Sequence, residues 1–376
     1  MEQSKKKICV IYNFAAHYRA PIFIEMDKEF DCDWYFGKAN DDIKKMDYSL
    51  LKGNVQELET FKIGPTKWYR GIISLLRKKN YDTFLVFAMT KELSTWVFGL
   101  FAKLFHPTKT VYFWSHGWYG KESRKEAIIK KQFFKLPNGG TFLYGNHARN
   151  LMIKEGLDPN RLYVVYNSLN YDEQLKIRKE LVNTSVYRDH FGNANSNIIF
   201  IGRLTKIKKF DLIINAVTEL KKRGSLVNLT FIGDGVEREN MERMVEANEI
   251  QSQVWFYGAC YDEKVNANLI YNADLCVSPG NIGLTAMHVM MFGCPAITND
   301  DISHQMPEFE AIKDGVTGDF FQAGNAVSLA DCISLWLDEH KGNRDSVRKA
   351  CYEVIDTVWN PHNQIRILKE EIDNQK

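Results

Sequence analysis

Asn197-Ile198-Ile199-Phe200-Ile201-Gly202-Arg203-Leu204 reads as a strand that ends on a glycine and a cation, with Lys208 in the turn that follows. Further along, Ser278-Pro279-Gly280-Asn281-Ile282-Gly283-Leu284-Thr285 opens a helix whose first backbone amides have no partner inside the helix. Cations fixed at a strand end, beside a helix N-terminus, make a site for a dianionic diphosphate. A binding turn at the C-terminal end of a strand is where parallel α/β sheets take their ligands.

The alternation of short apolar β-rich runs with amphipathic stretches continues in both directions and predicts an α/β chain. Strands are predicted at 8–12, 83–88, 110–115, 141–144 and 162–166, then at 197–201, 227–232, 254–257, 275–278 and 296–299. Helices are predicted at 69–79, 91–104, 122–135 and 147–155, then at 210–222, 236–247, 265–271, 282–292 and 326–337. A chain of 376 residues exceeds one ordinary core, so two Rossmann-like doubly wound parallel-sheet domains are expected. Their limits read as 1–170 plus about 359–376, and 171–358. The break at Trp359-Asn360-Pro361 would let a last helix cross back onto the first domain, and the domains would face each other across a cleft.

Composition fits a globular protein: 45% hydrophobic, 26% charged and 9 prolines, without a low-complexity tract. Ile8 to Tyr12, behind Lys5-Lys6-Lys7, is too short for a signal-peptide core and reads as a first strand. No apolar window is long enough to span a bilayer. The seven cysteines are scattered, with no CxxC and no metal-finger spacing, which predicts free thiols in a reducing cytoplasm and no metal site. Residues 1–170 carry 27 Lys and Arg against 17 Asp and Glu, a balance of +10 inside a total of +2. Either that half meets an anionic partner, or two oppositely charged domains attract each other.

Arg203 and Lys208 would stabilise the charge that builds on a departing diphosphate. A solvated basic turn competes with that reading, because Lys206 and Lys209 are also present. Asn281 is the expected N-cap of the 282–292 helix, with Gly293 as its C-terminal stop. Capping alone leaves Gly280 and Gly283 unexplained; bare backbone there admits a ligand to the amides of Gly283, Leu284 and Thr285. His288 lies one further turn along that helix, where an ordinary core or surface histidine is the competing reading. His116, at the end of the 110–115 strand, can hydrogen-bond a sugar hydroxyl, with Trp114 or Trp118 stacking on a sugar face. Glu308 and Glu310 are carboxylates suited to sugar hydroxyls, or simply exposed acids.

With those residues in place, the chain resembles the retaining nucleotide-sugar glycosyltransferases of family 4, which have the GT-B fold. The resemblance rests on Gly202-Arg203-Leu204 with Lys208, Gly233-Asp234-Gly235, Phe256-Tyr257-Gly258, Gly283-Leu284-Thr285 with Gly293-Cys294-Pro295, and Asp314-Gly315-Val316-Thr317-Gly318. Tyr18-Arg19-Ala20-Pro21 and His116-Gly117 carry it in the first half. It implies sugar transfer from a nucleoside diphosphate donor, UDP ahead of GDP, without bound metal or other cofactor. Arg203, Lys208, His116 and Glu310 would then be catalytic, with Glu310 matching the family glutamate better than Glu308. Gly202, Tyr257, Gly258, Gly280, Asn281, Gly283, Leu284, Thr285 and His288 would hold the donor, and Tyr18, Arg19, Trp118 and Lys121 the acceptor. One departure stands out: the two glutamates usual around this helix fall here on Gly280 and His288.

The implied acceptor is a glycan or polyprenyl-diphosphate-linked glycan of a bacterial capsule, O-antigen or exopolysaccharide. Basic segments at 67–79 and 121–135 would then rest on the inner face of the membrane, although apolar residues in cytoplasmic helices commonly face the core. No recognised nucleic-acid-binding module appears and the basic stretches flank an α/β pattern, so no nucleic-acid partner is expected. Two rivals remain at this stage: a nucleotide-sugar epimerase on the same fold, and a degenerate GT-B subunit that binds nucleotide or only scaffolds a partner.

Overall fold

The computed structural model describes residues 5–38 and 43–374, so the extreme limits 1 and 376 of the expected first domain lie outside the described residues. The chain divides into two compact units, Met1–Asn170 with Asn360–Lys376, and Tyr171–Trp359.

Strands β1 (Lys7–Tyr12), β2 (Asp31–Gly37) and β3 (Val55–Leu58) open the first unit, followed by the hairpin β4 (Thr60–Ile63) and β5 (Thr66–Tyr69). Strands β6 (Thr83–Phe87), β7 (Thr110–Ser115), β8 (Gly140–Leu143) and β9 (Leu162–Val164) complete it. Seven of these form one parallel sheet in the order β3-β2-β1-β6-β7-β8-β9. Its inner strands β1, β6, β7 and β8 are buried and mostly apolar because both faces there are covered. Ile8, Val10 and Tyr12 point to one core with helix α1 (Ala20–Glu29) and the closing helix Pro361–Asp373, whose Ile365, Leu368 and Ile372 pack there. Cys9 and Ile11 point to the other core, shared with α2 (Leu93–Phe105), α3 (Arg124–Phe133) and α4 (Asn146–Lys154).

The second unit opens on α5 (Tyr171–Glu180) and α6 (Val186–Phe191) and then repeats the plan. Strands β10 (Ser196–Ile201), β11 (Val227–Ile232), β12 (Val254–Gly258), β13 (Leu275–Ser278), β14 (Ala296–Asn299) and β15 (Gly318–Phe321) pair in parallel in the order β12-β11-β10-β13-β14-β15. Between and after them run α7 (Phe210–Lys222), α8 (Arg238–Ala247), α9 (Glu263–Asn272), α10 (Leu284–Met291), α11 (Ala326–Glu339) and α12 (Arg344–Thr357). In each sheet the strand order reverses beside the first strand, between β1 and β6 and between β10 and β13. Such reversals open a crevice at the strand ends.

The structure departs from the sequence reading in the first unit. The predicted 69–79 helix is the end of β5 and a short 3₁₀ turn, Ile72–Arg77, entered through Gly71 at φ 81°. Strands β2 and β3, the hairpin and α1 were not predicted. Acids disguise β2: Asp33 is buried yet accepts from Tyr81 Oη and Asn54 N and lies 3.2 Å from Lys7 Nζ. Burial would raise its pKa, but those partners outweigh it and hold the carboxyl below its usual value. All seven cysteines are unpaired; Cys260 and Cys332 are the two that are not buried. Among the described residues, no helix is long and apolar enough to cross a membrane.

Candidate functional site

In the second unit the site gathers where β10 and β13 part. Arg203, just past β10, is exposed, and among the described residues no carboxylate pairs with it. Lys208 closes a short 3₁₀ turn, Lys206–Lys208, and donates to Asn281 twice, to its carbonyl oxygen at 2.6 Å and to its Oδ1 at 3.1 Å. Lys208 is partly exposed. Burial lowers its pKa to about 8; Arg203 acts in the same direction, and Cys276 and Glu308 oppose it. Glu308 is therefore the carboxylate whose charge reaches Lys208.

Gly280 explains how two stretches distant in sequence meet. A Cβ there would lie 2.1 Å from Ile207 O and 2.8 Å from Lys208 Cα, so only glycine lets the lysine turn rest on this segment. The sequence reading assigned that bareness to an approaching ligand; at Gly280 the approaching group is the protein's own backbone. Gly283 fits the original expectation better. It adopts φ 53°, and a Cβ would meet nothing nearer than Met306 Cγ at 3.6 Å. Helix α10 starts at Leu284 with Gly283 as its cap, not at Ile282 with Asn281 as cap, because the Asn281 side chain serves Lys208 instead. No described side chain caps the helix, and among the described residues the amides of Gly283, Leu284 and Thr285 have no hydrogen-bond partner. Thr285 Oγ1 donates to Ile201 O at 3.3 Å, tying α10 to the end of β10 beside Gly202.

Three buried polar residues that sequence reasoning missed hold the 278–282 turn. Thr298 Oγ1 donates to Ser278 O and Gly280 O, at 2.8 and 3.1 Å. Asn299 Nδ2 donates to Pro279 O and Gly280 O, at 2.8 and 2.9 Å. Gln305 Oε1 accepts from Ile282 N at 3.0 Å, while its Nε2 donates to Thr298 Oγ1 at 3.0 Å. Every carbonyl so satisfied is one that cannot rotate toward solvent, which fixes the direction of the amides that follow.

His288 does not stand alone. Its Nε2 lies 3.0 Å from Glu263 Oε1, and Gln174 Nε2 donates to the same oxygen at 2.7 Å. Burial pushes the Glu263 pKa up, and the bonds from His288, Gln174 and Asn266 more than reverse it. A carboxylate thus reaches His288 from α9, although the expected glutamate position on α10 itself is a histidine. At the sheet edge, Phe231 pairs with Phe256 but Ile232 with Gly258, so Tyr257 is an extra residue in the ladder. Gly258 O accepts from Gly233 N at 2.8 Å, and Gly202 N donates to Ile232 O at 2.9 Å, joining the three strand ends. Glu310 is partly exposed on the 3₁₀ turn Pro307–Ala311, and Glu308, on the same turn, is buried.

The first unit holds the other predicted residues. His116 follows β7, with Tyr144 at 4.7 Å and Tyr119 stacked at 6.4 Å between ring centroids. Burial, then the charges of Arg19 and Lys130, lower its pKa to about 4, so the imidazole is neutral at physiological pH. Arg19 is buried; its Nη1 donates to Asn167 Oδ1 at 2.6 Å and its guanidinium sits 4.9 Å from the Tyr144 centroid. Tyr18 is partly exposed, and Lys121 is exposed with its ammonium 5.4 Å from the Tyr119 ring. Trp118 corrects an expectation: it is 3% exposed, packed on Phe134, and presents no face to a sugar. Trp114 is equally enclosed. Tyr119 is the partly exposed ring, lining a groove of about 540 Å³ with Lys91, Lys121, Glu122, Ile129 and Lys130. Among the described residues, no group of three or more His, Cys, Asp or Glu side chains is placed to hold a metal ion.

Residues 189–353 match the model of the family described as glycosyl transferases group 1. An uncharacterized 41.2 kDa protein in the cps region of Klebsiella pneumoniae is 28% identical over 205 residues, 51% of this chain and 52% of that protein. The O-antigen biosynthesis glycosyltransferase WclY of Escherichia coli is 25% identical over 142 residues, 36% of this chain and 37% of its own. The chain therefore spans about half the length of the first curated relative and less of the second. HepE from Anabaena, solved in complex with UDP, has a TM-score of 0.71 at 14% identity, over 98% of this chain and 99% of that one. At that identity the likeness shows the fold, which is the two-unit α/β GT-B type.

Proposed function

We propose that the chain, whose residues 189–353 match the glycosyl transferases group 1 model, moves a sugar from a nucleoside diphosphate donor to a glycan acceptor. The acceptor is a growing bacterial surface polysaccharide, free or carried on a polyprenyl diphosphate, met in the cytoplasm at the inner face of the membrane. The relatives from a cps region and from O-antigen biosynthesis support that setting. The UDP complex of HepE supports UDP as the donor's nucleotide.

One observation carries the reading. Lys208 is locked to Asn281, which sets a half-buried ammonium beside the unsatisfied amides at the start of α10, with exposed Arg203 adjacent. Such a group of donors suits two negative phosphates and needs no reorganisation when charge develops on the leaving one. In the reaction, the bond from the anomeric carbon to the diphosphate oxygen breaks. The acceptor oxygen bonds that carbon from the same face, and its proton passes to the leaving phosphate, so configuration is retained. No metal is assigned to these steps. The neutral His116 is suited to donate to or accept from a sugar hydroxyl, and Glu310 to accept from one.

The double substitution Arg203→Ala with Lys208→Ala should abolish transfer and UDP binding while circular dichroism stays native. Turnover unchanged in that variant refutes the assignment. Absence of calorimetric heat with both UDP and GDP in the unmodified protein would instead mark a scaffold subunit, and donor conversion without acceptor an epimerase.

A further inference from the structure

The groove of about 540 Å³ beside Tyr119 carries charge that the chain itself leaves unmatched. It is lined by the loop between β6 and α2, by the turn between β7 and α3, and by α3 itself. Glu122 builds that turn. Its side chain is 6% exposed; Oε1 accepts from Tyr119 N at 2.9 Å and Oε2 from Gly120 N at 2.8 Å. Lys130 Nζ completes the arrangement, donating to Glu122 Oε1 at 2.5 Å and to Gly117 O at 3.0 Å. Burial would raise the Glu122 pKa, but Lys130 and the Tyr119 amide hold it below its usual value, so the carboxylate stays ionised. The turn that presents Tyr119 and Lys121 is therefore fixed by a buried acid and its own lysine.

Each charge on the groove has an account. Glu122 takes the charge of Lys130. Glu126, the other acid, accepts from Ser123 N at 2.8 Å in the capping box of α3, where the helix N-terminus offsets its charge. Lys91 and Lys121 remain. Both are exposed, and among the described residues neither ammonium meets a carboxylate; Lys121 Nζ lies 5.4 Å from the Tyr119 centroid. The rest of the wall is apolar, with Ile129 52% exposed and Tyr119 partly so. Tyr119 is also stacked with His116, at 6.4 Å and 17°, so the groove starts one side chain away from the histidine assigned to a sugar hydroxyl. Apolar walls with a few convergent polar groups accept a ring and set its orientation. We propose that this groove takes an acidic sugar of the acceptor glycan, its carboxylate meeting Lys91 and Lys121 and its C–H face resting on Tyr119 and Ile129. The proposal rests on the reading of a glycan acceptor and adds its charge class, a uronic acid adjoining the sugar that accepts transfer. A neutral glycan would leave both ammonium groups without a partner, whereas a carboxylate offers each an oxygen.

Ligand-observed NMR titration of the full chain with methyl glucuronide, against methyl glucoside, tests it without any donor present. The glucuronide should bind roughly tenfold more tightly, two exposed ion pairs contributing a few-fold each. That preference should shrink as salt is added. Lys91→Gln with Lys121→Gln should bring the glucuronide down to the affinity of the glucoside while the melting temperature holds. Lys91→Arg with Lys121→Arg keeps both charges and should hold the glucuronide within about twofold of the unmodified protein. Acetate, a carboxylate without the ring, should displace the glucuronide only at much higher concentration. Equal binding of the two glycosides, a preference that survives the glutamine variant, or displacement by acetate at equal concentration overturns the proposal. UDP calorimetry separates this from the reading it rests on. A glucuronide preference in a protein that binds neither UDP nor GDP would count against the transferase reading and leave the groove standing. UDP binding without any preference would remove the groove alone.

Discussion

The two sheets reverse strand order at equivalent places and line them with opposite chemistry. Beside β10 and β13 stand Arg203, the half-buried ammonium of Lys208 and a run of open amides. Around the end of β7, next to β6, stand Tyr144, Tyr119 and a histidine that burial keeps uncharged, with Arg19 engaged by Asn167. The backbone plan is shared, so it does not decide what is bound; the side chains placed at the strand ends do. Past β10 the sheet presents an arginine, a lysine and unpartnered amides; past β7 the other presents aromatic rings and an uncharged histidine.

The largest effect that tests this contrast is expected at Gly280. Gly280→Ala drives a Cβ into Ile207 O and must displace the lysine turn, costing about 1–3 kcal/mol of stability by overpacking. UDP affinity and transfer should fall on the order of a hundredfold, whereas His116→Ala should leave UDP affinity within a few-fold. Equal losses in the two variants would erase the distinction between the switch points. A middle-sized effect concerns pH. With Lys208 near 8 in the free protein, UDP binding should weaken about tenfold from pH 7 to pH 9, with proton uptake visible as buffer-dependent heat. Lys208→Arg should flatten that profile. By linkage the unliganded fold gains stability as pH rises from about 8 toward the unfolded lysine value of 10.5, because its depressed pKa disfavours the cation. The smallest effect is expected from Glu263→Gln, which removes the charge opposite His288 and should raise the UDP dissociation constant two- to fivefold, a loss of about 0.5–1 kcal/mol. A value identical to that of the unmodified protein would make the pair purely structural.

Much of this was legible in the chain, and the second half more than the first. Ile198 to Ile201, Leu229 to Ile232 and Leu275 to Ser278 are unbroken apolar or small stretches, and each appears as a strand. Strand β2 was not legible because Asp31 and Asp33 interrupt it, and the partners that make a buried Asp33 tolerable come from Lys7, Asn54 and Tyr81. Trp118 misled for a related reason: a tryptophan beside a strand end serves a sugar or a core equally well until its neighbours are known. Gln305 stood in plain view before Met306-Pro307, but its target, the amide of Ile282, belongs to a different loop.

Local sequence determined which segments become strands and helices, and it determined that cations follow one strand while glycines open one helix. These are short-range matters of apolar pattern and backbone freedom. Only the tertiary structure decided that Gly280 is bare to receive the lysine turn, that Asn281 holds an ammonium rather than a helix end, and that Glu263 reaches His288. Each depends on a close approach between residues far apart in the chain. Such approaches are set by how sheets and helices pack, and no window of neighbouring residues contains that information.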